Sequence, residues 1–363
     1  MINNKKIDCK NGIFGLAIGD ALGVPVEFLD REYLTQNPVQ DFIEDDVNDL
    51  PKGTWSDDTS MTIATMDSIN DKHTIDIDDM TLKFISWMDK DEYTATGECF
   101  DVGNTVFSAL TKYKNNPQRG IVYGENGPNS NGNGSLMRIL PISYFINKSG
   151  INDENEILKI VKNVSSITHS HEISILSCYV YVLFSNQLLN GVSRDDAYKY
   201  IQSVDYSKFK PESISAFDRI LKADIRNLEE SEIRTSGYTV DTLEAAMWIF
   251  INSENYNDAI LKAINLGDDT DTVGAVVGGL LGIEYGMKAI NPNWVKQIQN
   301  KELLDSICER FNQLTIERDD INNMDFKKQL EVKYMEISRQ IIKSINENKS
   351  QKKKQNEEID FEK

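Results

Sequence analysis

The sequence predicts an all-α protein. Apolar residues recur at three- and four-residue steps, as in Leu176, Tyr179, Val180 and Leu183 and again in Leu243, Ala246, Met247 and Phe250, which is the pattern of a buried helix face. No sustained alternation of apolar and polar residues marks a strand. Proline occurs only 8 times in 363 residues, so helical runs go largely uninterrupted.

The elements follow in chain order. Gly15, Gly19 and Gly23 recur every four residues, a strip along which a second backbone can approach closely. Residues 124–134, GENGPNSNGNG, read as a loop. Asp241, with Glu244 three residues on, reads as a capping box opening the second apolar run. Composition changes near Asn312. Beyond it Phe326, Leu330, Tyr334, Ile337, Ile341 and Ile345 form one apolar stripe on an otherwise charged helix. The expected organisation is a catalytic domain over 1–312, an amphipathic helical appendage over 313–347 and a disordered polar tail over 348–363.

The net charge of −19 repels nucleic-acid backbones and argues against DNA or RNA as a partner. The basic residues near the start, Lys5, Lys6 and Lys10, are followed by no long apolar run of the kind a signal peptide needs. No window reads as the roughly 18 apolar residues of a membrane span. Cys9, Cys99, Cys178 and Cys308 lie far apart and form no CxxC pair. Reduced thiols in a cytosolic protein are the expectation.

Two acidic clusters carry the chemistry. The first is Trp55-Ser56-Asp57-Asp58-Thr59-Ser60-Met61, the second Gly267-Asp268-Asp269-Thr270-Asp271-Thr272. Each precedes an apolar helical run. A single Asp or Ser there is explained by capping. Successive carboxylates exceed what a cap requires and cost energy unless a cation neutralises them. The ligands are hard oxygens, and neither cluster holds His or Cys, so magnesium or manganese fits better than zinc. Four or more carboxylates suit two ions about 3.5–4 Å apart. The rival DDxxD pattern fails because Met61 stands where its third Asp would be.

The motifs GLAIGDALGVPVEF, WSDDTSM, FDVGNT, GNGSLMRILPI, THSH, SGYTVDTLEAAMW and NLGDDTDTVGAVVGGLLG, in that order, resemble those of the ADP-ribosylglycohydrolase family. Its members include the dinitrogenase-reductase-activating glycohydrolase, to which the sequence is similar. The resemblance runs from about Gly12 to Ala289. It implies a compact orthogonal multi-helix domain holding two magnesium ions. It implies Ser56, Asp57, Asp58, Asp269, Asp271 and Thr272 as metal ligands, with Asp271 bridging and Asp268 outside the ligand set. The family more often has Thr at the position of Ser56, and either residue supplies a hydroxyl.

By the same resemblance, Glu27 faces the metals as proton acceptor and joins Asp58, Asp101 and Asp269 as catalytic. Asp101 in its DxG motif, with Gly103, implies arginine-linked ADP-ribose, because a carboxylate pairs well with a guanidinium. Gly132, Asn133, Gly134, Ser135, Met137 and Arg138 correspond to the substrate loop. His169 corresponds to a histidine near ribose and phosphates, and Tyr238 to a residue at the adenine. Read without the family, Glu27 is a surface glutamate, Asp101 a helix cap and the glycine loop a flexible turn. The implied partner is an ADP-ribosylated protein. The alternative is an immunity protein that docks onto an ADP-ribosyltransferase toxin, with the amphipathic tail as docking helix.

Overall fold

A computed structural model describes residues 7–316. Sixteen α-helices are present among them, and no β-strand. The first eight are α1 (Lys10–Gly23), α2 (Arg31–Gln36), α3 (Asp57–Lys72), α4 (Ile77–Lys90), α5 (Asn104–Asn115), α6 (Leu140–Ser149), α7 (Glu154–Ser165) and α8 (Glu172–Leu189). Then come α9 (Arg194–Ser203), α10 (Pro211–Ser215), α11 (Asp218–Leu221), α12 (Thr239–Ile251) and α13 (Tyr256–Ile264). α14 (Thr270–Tyr285), α15 (Pro292–Gln297) and α16 (Lys301–Gln313) complete the set. One compact unit ends at Thr315. The amphipathic appendage at 313–347 lies almost wholly, and the polar tail at 348–363 wholly, outside the described residues.

The central packing is α1 against α14, and glycine makes it possible. A Cβ on Gly15 would stand 2.3 Å from the Gly278 carbonyl oxygen, and one on Gly19 would stand 2.1 Å from that of Gly274. At Gly23 it would lie 2.3 Å from the Asp271 backbone. The pairings run 15 with 278, 19 with 274 and 23 with 271, so the two helices are antiparallel. The spacing seen in α1 therefore has a partner strip, Gly274, Gly278 and Gly282, on α14. Thr270 Oγ1 donates to the Gly23 carbonyl at 2.9 Å and fixes the register. The consequence is local to the chemistry: the C-terminal end of α1 is pressed against the N-terminal turn of α14.

α8 is the long core helix, packed on α6, α7, α9 and α12. Leu176, Tyr179, Val180 and Leu183 are all buried, and so are most residues on its other faces. Length and composition would let this helix cross a membrane, which the sequence reading did not anticipate. Within the fold 83% of it is buried, as in a soluble core helix. On α12, Leu243, Ala246, Met247 and Phe250 are likewise buried.

The capping box does not form. α12 starts at Thr239 with Tyr238 at its N-cap, so Asp241 lies inside the first turn and accepts from Ser236 Oγ at 2.7 Å. Glu244 is buried and ion-paired with Arg219 at 2.9 Å. The start is set from outside the helix. Thr239 N donates to the Asn131 carbonyl and Asn133 N to that of Gly237, so pairing with the glycine loop places the turn. All four cysteines are free, and Cys9, Cys178 and Cys308 are buried.

Candidate active site

Ser56 caps α3, and Asp57 and Asp58 fill its first turn. Asp271 and Thr272 occupy the first turn of α14, with Asp269 at its N-cap. All six side chains are buried. One long contact joins the clusters, Thr272 Oγ1 donating to Asp58 Oδ2 at 3.4 Å; within the first cluster Ser56 Oγ donates to the same oxygen at 3.4 Å. Asn133 Nδ2 donates to Asp269 Oδ2 at 2.8 Å, tying the glycine loop to the second cluster.

This concentration of charge is costly. Burial first, then the charges of Asp101 and Asp20, hold Asp57 well above the usual carboxylate range. Burial and then Asp20 and Asp57 do the same to Asp58, and burial and then Glu27 and Asp58 to Asp271. Among the described residues no cationic side chain is hydrogen-bonded to any of them. Asp58 Oδ1 and Asp269 Oδ1 are buried with no hydrogen-bond partner. Buried, unpaired carboxylate oxygens aimed into a shared space suit a hard cation. An acidic group able to hold a metal ion is therefore present.

The structure adds Glu27 to that group. Its carboxylate lies with those of Asp269 and Asp271, one oxygen of each within 4.8 Å of the others. The sequence reading kept Glu27 apart from the ligands. The antiparallel packing of α1 on α14 removes that separation, because a single 3-10 turn, Val24–Val26, carries the chain from the end of α1 to Glu27. Burial and then the charge of Asp101 push Glu27 up to about 8.

Asp101 is an exposed residue with a left-handed φ of 55°, its carboxyl group partly shielded from water. It does not cap α5, whose N-cap is Gly103 without a side-chain bond. Burial, and then the charge of Asp269, raise its pKa. Gly103 is exposed, with nothing within 4 Å of where a Cβ would stand.

The glycine loop divides in two. Gly132 and Gly134 stay partly accessible and lie against the His169 ring, where a Cβ on Gly134 would come 2.9 Å from Cε1. Ser135, Met137 and Arg138 turn inward and are buried. Arg138 donates to the Gly134 carbonyl and, at 2.8 Å, to Thr168 Oγ1, and its guanidinium lies 5.0 Å from the Phe84 ring centre. Ser135 Oγ meets Ser165 Oγ at 3.0 Å. Arg138 and Ser135 therefore brace the loop from behind. α6 begins only at Leu140, past a turn in which the Asn133 carbonyl accepts from Leu136 and Met137.

His169 Nδ1 pairs with Thr168 Oγ1 at 2.8 Å. Burial and then the charge of Arg138 lower it to about 3, so the ring is neutral at physiological pH. His171 has a structural use as the N-cap of α8, accepting from Ile173 N. Tyr238 is half-buried beside Gly132, to which it is bridged. Asp268 is exposed with a φ of 64°.

One residue of the site went unnoticed in the sequence. Asp20 is fully buried on α1. Its Oδ1 accepts from Ser56 N at 2.9 Å and Ser56 Oγ at 3.0 Å. Its Oδ2 accepts from Thr59 N at 3.0 Å and Thr59 Oγ1 at 2.6 Å. It thereby holds the first turn of α3, and burial raises its own pKa to about 7. The available signal was a lone carboxylate in the otherwise glycine and apolar run GLAIGDALG. Asp20→Asn must turn an NH₂ toward one backbone N–H in either orientation. Turnover is expected to fall about 10–100-fold with helix content unchanged, as for other groups that orient metal ligands. Circular dichroism beside steady-state kinetics checks this, and full turnover would remove the positioning role.

The model of the family described as ADP-ribosylglycohydrolase matches residues 6–321. The chain belongs to the ADP-ribosylglycohydrolase family. This glycohydrolase is 34% identical over 313 residues to the ADP-ribosylarginine hydrolase Tri1 of Serratia proteamaculans (strain 568), covering 85% of this chain and 80% of the relative. It is 26% identical over 296 residues to the ADP-ribosyl-[dinitrogen reductase] glycohydrolase of Rhodospirillum rubrum, covering 79% and 88%. A solved structure described as an ADP-ribosylglycohydrolase-related protein complex superposes with a TM-score of 0.70 at 24% identity. It covers 86% of this chain and 99% of that one, and shows the shared fold.

Proposed function

We propose that this glycohydrolase is magnesium-dependent and cleaves the N-glycosidic bond between ADP-ribose and a modified arginine of a protein. The observation that carries the arginine assignment is the Asp101 carboxylate, close enough to Glu27 and Asp57 to raise both. The ADP-ribosylarginine activity printed for the Tri1 relatives at 34% and 32% identity supports the same linkage.

Asp57, Asp58, Asp269 and Asp271, with the hydroxyls of Ser56 and Thr272, would hold two magnesium ions. When bound, the ions supply Lewis acidity to ribose hydroxyls and water and offset the crowded negative charge. The protein's own part is positioning and proton handling. Asp101 presents two acceptor oxygens to the guanidinium and orients the leaving group. Glu27, facing Asp269 and Asp271, accepts the proton of the water that attacks the anomeric carbon. Gly132 and Gly134 allow close approach of the diphosphate, and neutral His169 can donate from Nε2 without adding charge.

Release of ADP-ribose from arginine-, serine- and nucleobase-linked substrates, with and without chelator, tests the reading. Arginine-linked substrate is expected to be cleaved preferentially and chelator to stop it. Asp101→Asn should lower the arginine rate by about 10²-fold, since it loses one arm of a charged bidentate pair. Equal rates on serine-linked substrate would overturn the linkage assignment.

A further inference from the structure

Beside the acidic site lies an open cavity of about 360 Å³ that the proposed chemistry does not use. Phe28, Leu29 and Leu266 give it an apolar lining, with Arg31, Arg234 and Asp268 among its polar walls. We propose that this cavity receives an apolar side chain of the polypeptide that carries the modified arginine. The proposal rests on the arginine-linked reading above and extends it to target recognition.

Position is the first argument. Phe28 follows Glu27 directly and Asp268 precedes Asp269, so the cavity shares its wall with the reacting centre. That wall is built as a paired turn. Phe28 N donates to the Asp268 carbonyl at 2.7 Å, and Asp268 N donates to that of Leu29 at 2.8 Å. Both Phe28 and Asp268 are left-handed, with φ of 63° and 64°. A left-handed phenylalanine is uncommon, and such strain persists where surroundings over-determine it. Opposite it, the Arg31 guanidinium donates to the carbonyls of Leu266, Glu230 and Ile233 at 2.8, 2.8 and 2.7 Å. The cavity is therefore preformed.

Chemistry is the second argument. Phe28 is 72% exposed, an aromatic surface left in water beside an active site. The volume lies at the small end for ligand pockets and suits one or two side chains rather than a dinucleotide. Among its walls Asp30 and Asp268 are balanced by Arg31 and Arg234. A lining of no net charge around an apolar floor suits an uncharged side chain better than a diphosphate. Arg234 offers donors to the carbonyls of the bound segment.

Steady-state kinetics on two substrates, arginine-ADP-ribosylated protein and free ADP-ribosyl-arginine, test the proposal with Leu29→Ala, Leu29→Trp and Arg234→Ala. Both positions reach the surface, so the variants keep the fold. KM for the protein substrate is expected to rise about tenfold at unchanged kcat, the scale of losing one anchoring contact. Both constants for ADP-ribosyl-arginine should stay at their unaltered values. Equal losses on the two substrates would assign the cavity to ADP-ribose itself and overturn the proposal, as would no loss on either. An unaltered enzyme that cleaves neither substrate would instead defeat the arginine-linked reading, and the cavity assignment would fall with it.

Discussion

Asp58→Asn is expected to abolish hydrolysis, by at least about 10³-fold, while making the ion-free protein more stable. The opposite signs come from one cause. Asp58 is buried beside Asp20, Asp57 and Asp269, which hold its carboxyl well above the usual range. Its Oδ1 has no hydrogen-bond partner, and its Oδ2 receives only the long contacts from Ser56 and Thr272. An amide keeps an oxygen for those two hydroxyls and turns an NH₂ toward neighbouring carboxylates. Removing a repelled buried charge is worth about 1–3 kcal/mol. The same change deletes a hard anionic oxygen from the proposed cation site. Thermal melts in chelator and turnover with magnesium measure the two effects. Full turnover, or a less stable ion-free protein, would sink the assignment of Asp58 to the cation site.

The ion-free protein should lose stability as pH rises from about 5 to about 8. Burial and charge push Glu27 up to about 8 and Asp20 to about 7, and Asp57, Asp58 and Asp271 are raised well above the ordinary value. In the unfolded chain all five titrate near 4. Across that window the folded state binds more protons than the unfolded state, so unfolding free energy falls with rising pH. Magnesium, the cation proposed above, is expected to oppose the trend, with its largest effect at the alkaline end. At about 100 times its dissociation constant it adds about 2.7 kcal/mol, or about 5 °C of Tm for a domain of this size. Below about pH 4 the slope reverses, because Asp71 and Asp305 are held low in the fold beside lysines and an arginine and lose those contacts on protonation. Differential scanning calorimetry at pH 5.5 and 8, with chelator or with magnesium, checks both signs. A melting temperature that rises with pH in chelator would contradict the repulsion.

Much of this was legible in the sequence because it is local. Three- and four-residue periodicity marks a helix face within a few turns of chain, and it located α8 and α12. The glycine strip of α1 and the two acidic clusters are likewise contiguous features, and the hard-oxygen donor set argues for its class of cation before any fold is known. What the sequence could not carry is which distant polar groups meet. Thr272 reaches Asp58 across 214 positions of the chain and Asn133 reaches Asp269 across 136. The capping box failed for that reason, since pairing with the glycine loop, not the local Asp and Glu, starts α12.

Tertiary structure also decided which side of the loop each residue serves. The inward turn of Arg138 follows from a guanidinium satisfying carbonyls and a hydroxyl that burial would otherwise leave unpaired. The role of Asp20, a lone carboxylate in an apolar helix, follows only from the first turn of α3 packed against it. Glu27 joined Asp269 and Asp271 only because α1 and α14 pack backbone to backbone. By itself the sequence determined the all-α class, the two acidic clusters and the motif order. The antiparallel glycine contact decided that three carboxylates from opposite ends of the domain would crowd into one buried space, where the cost of their charge creates a demand for a cation.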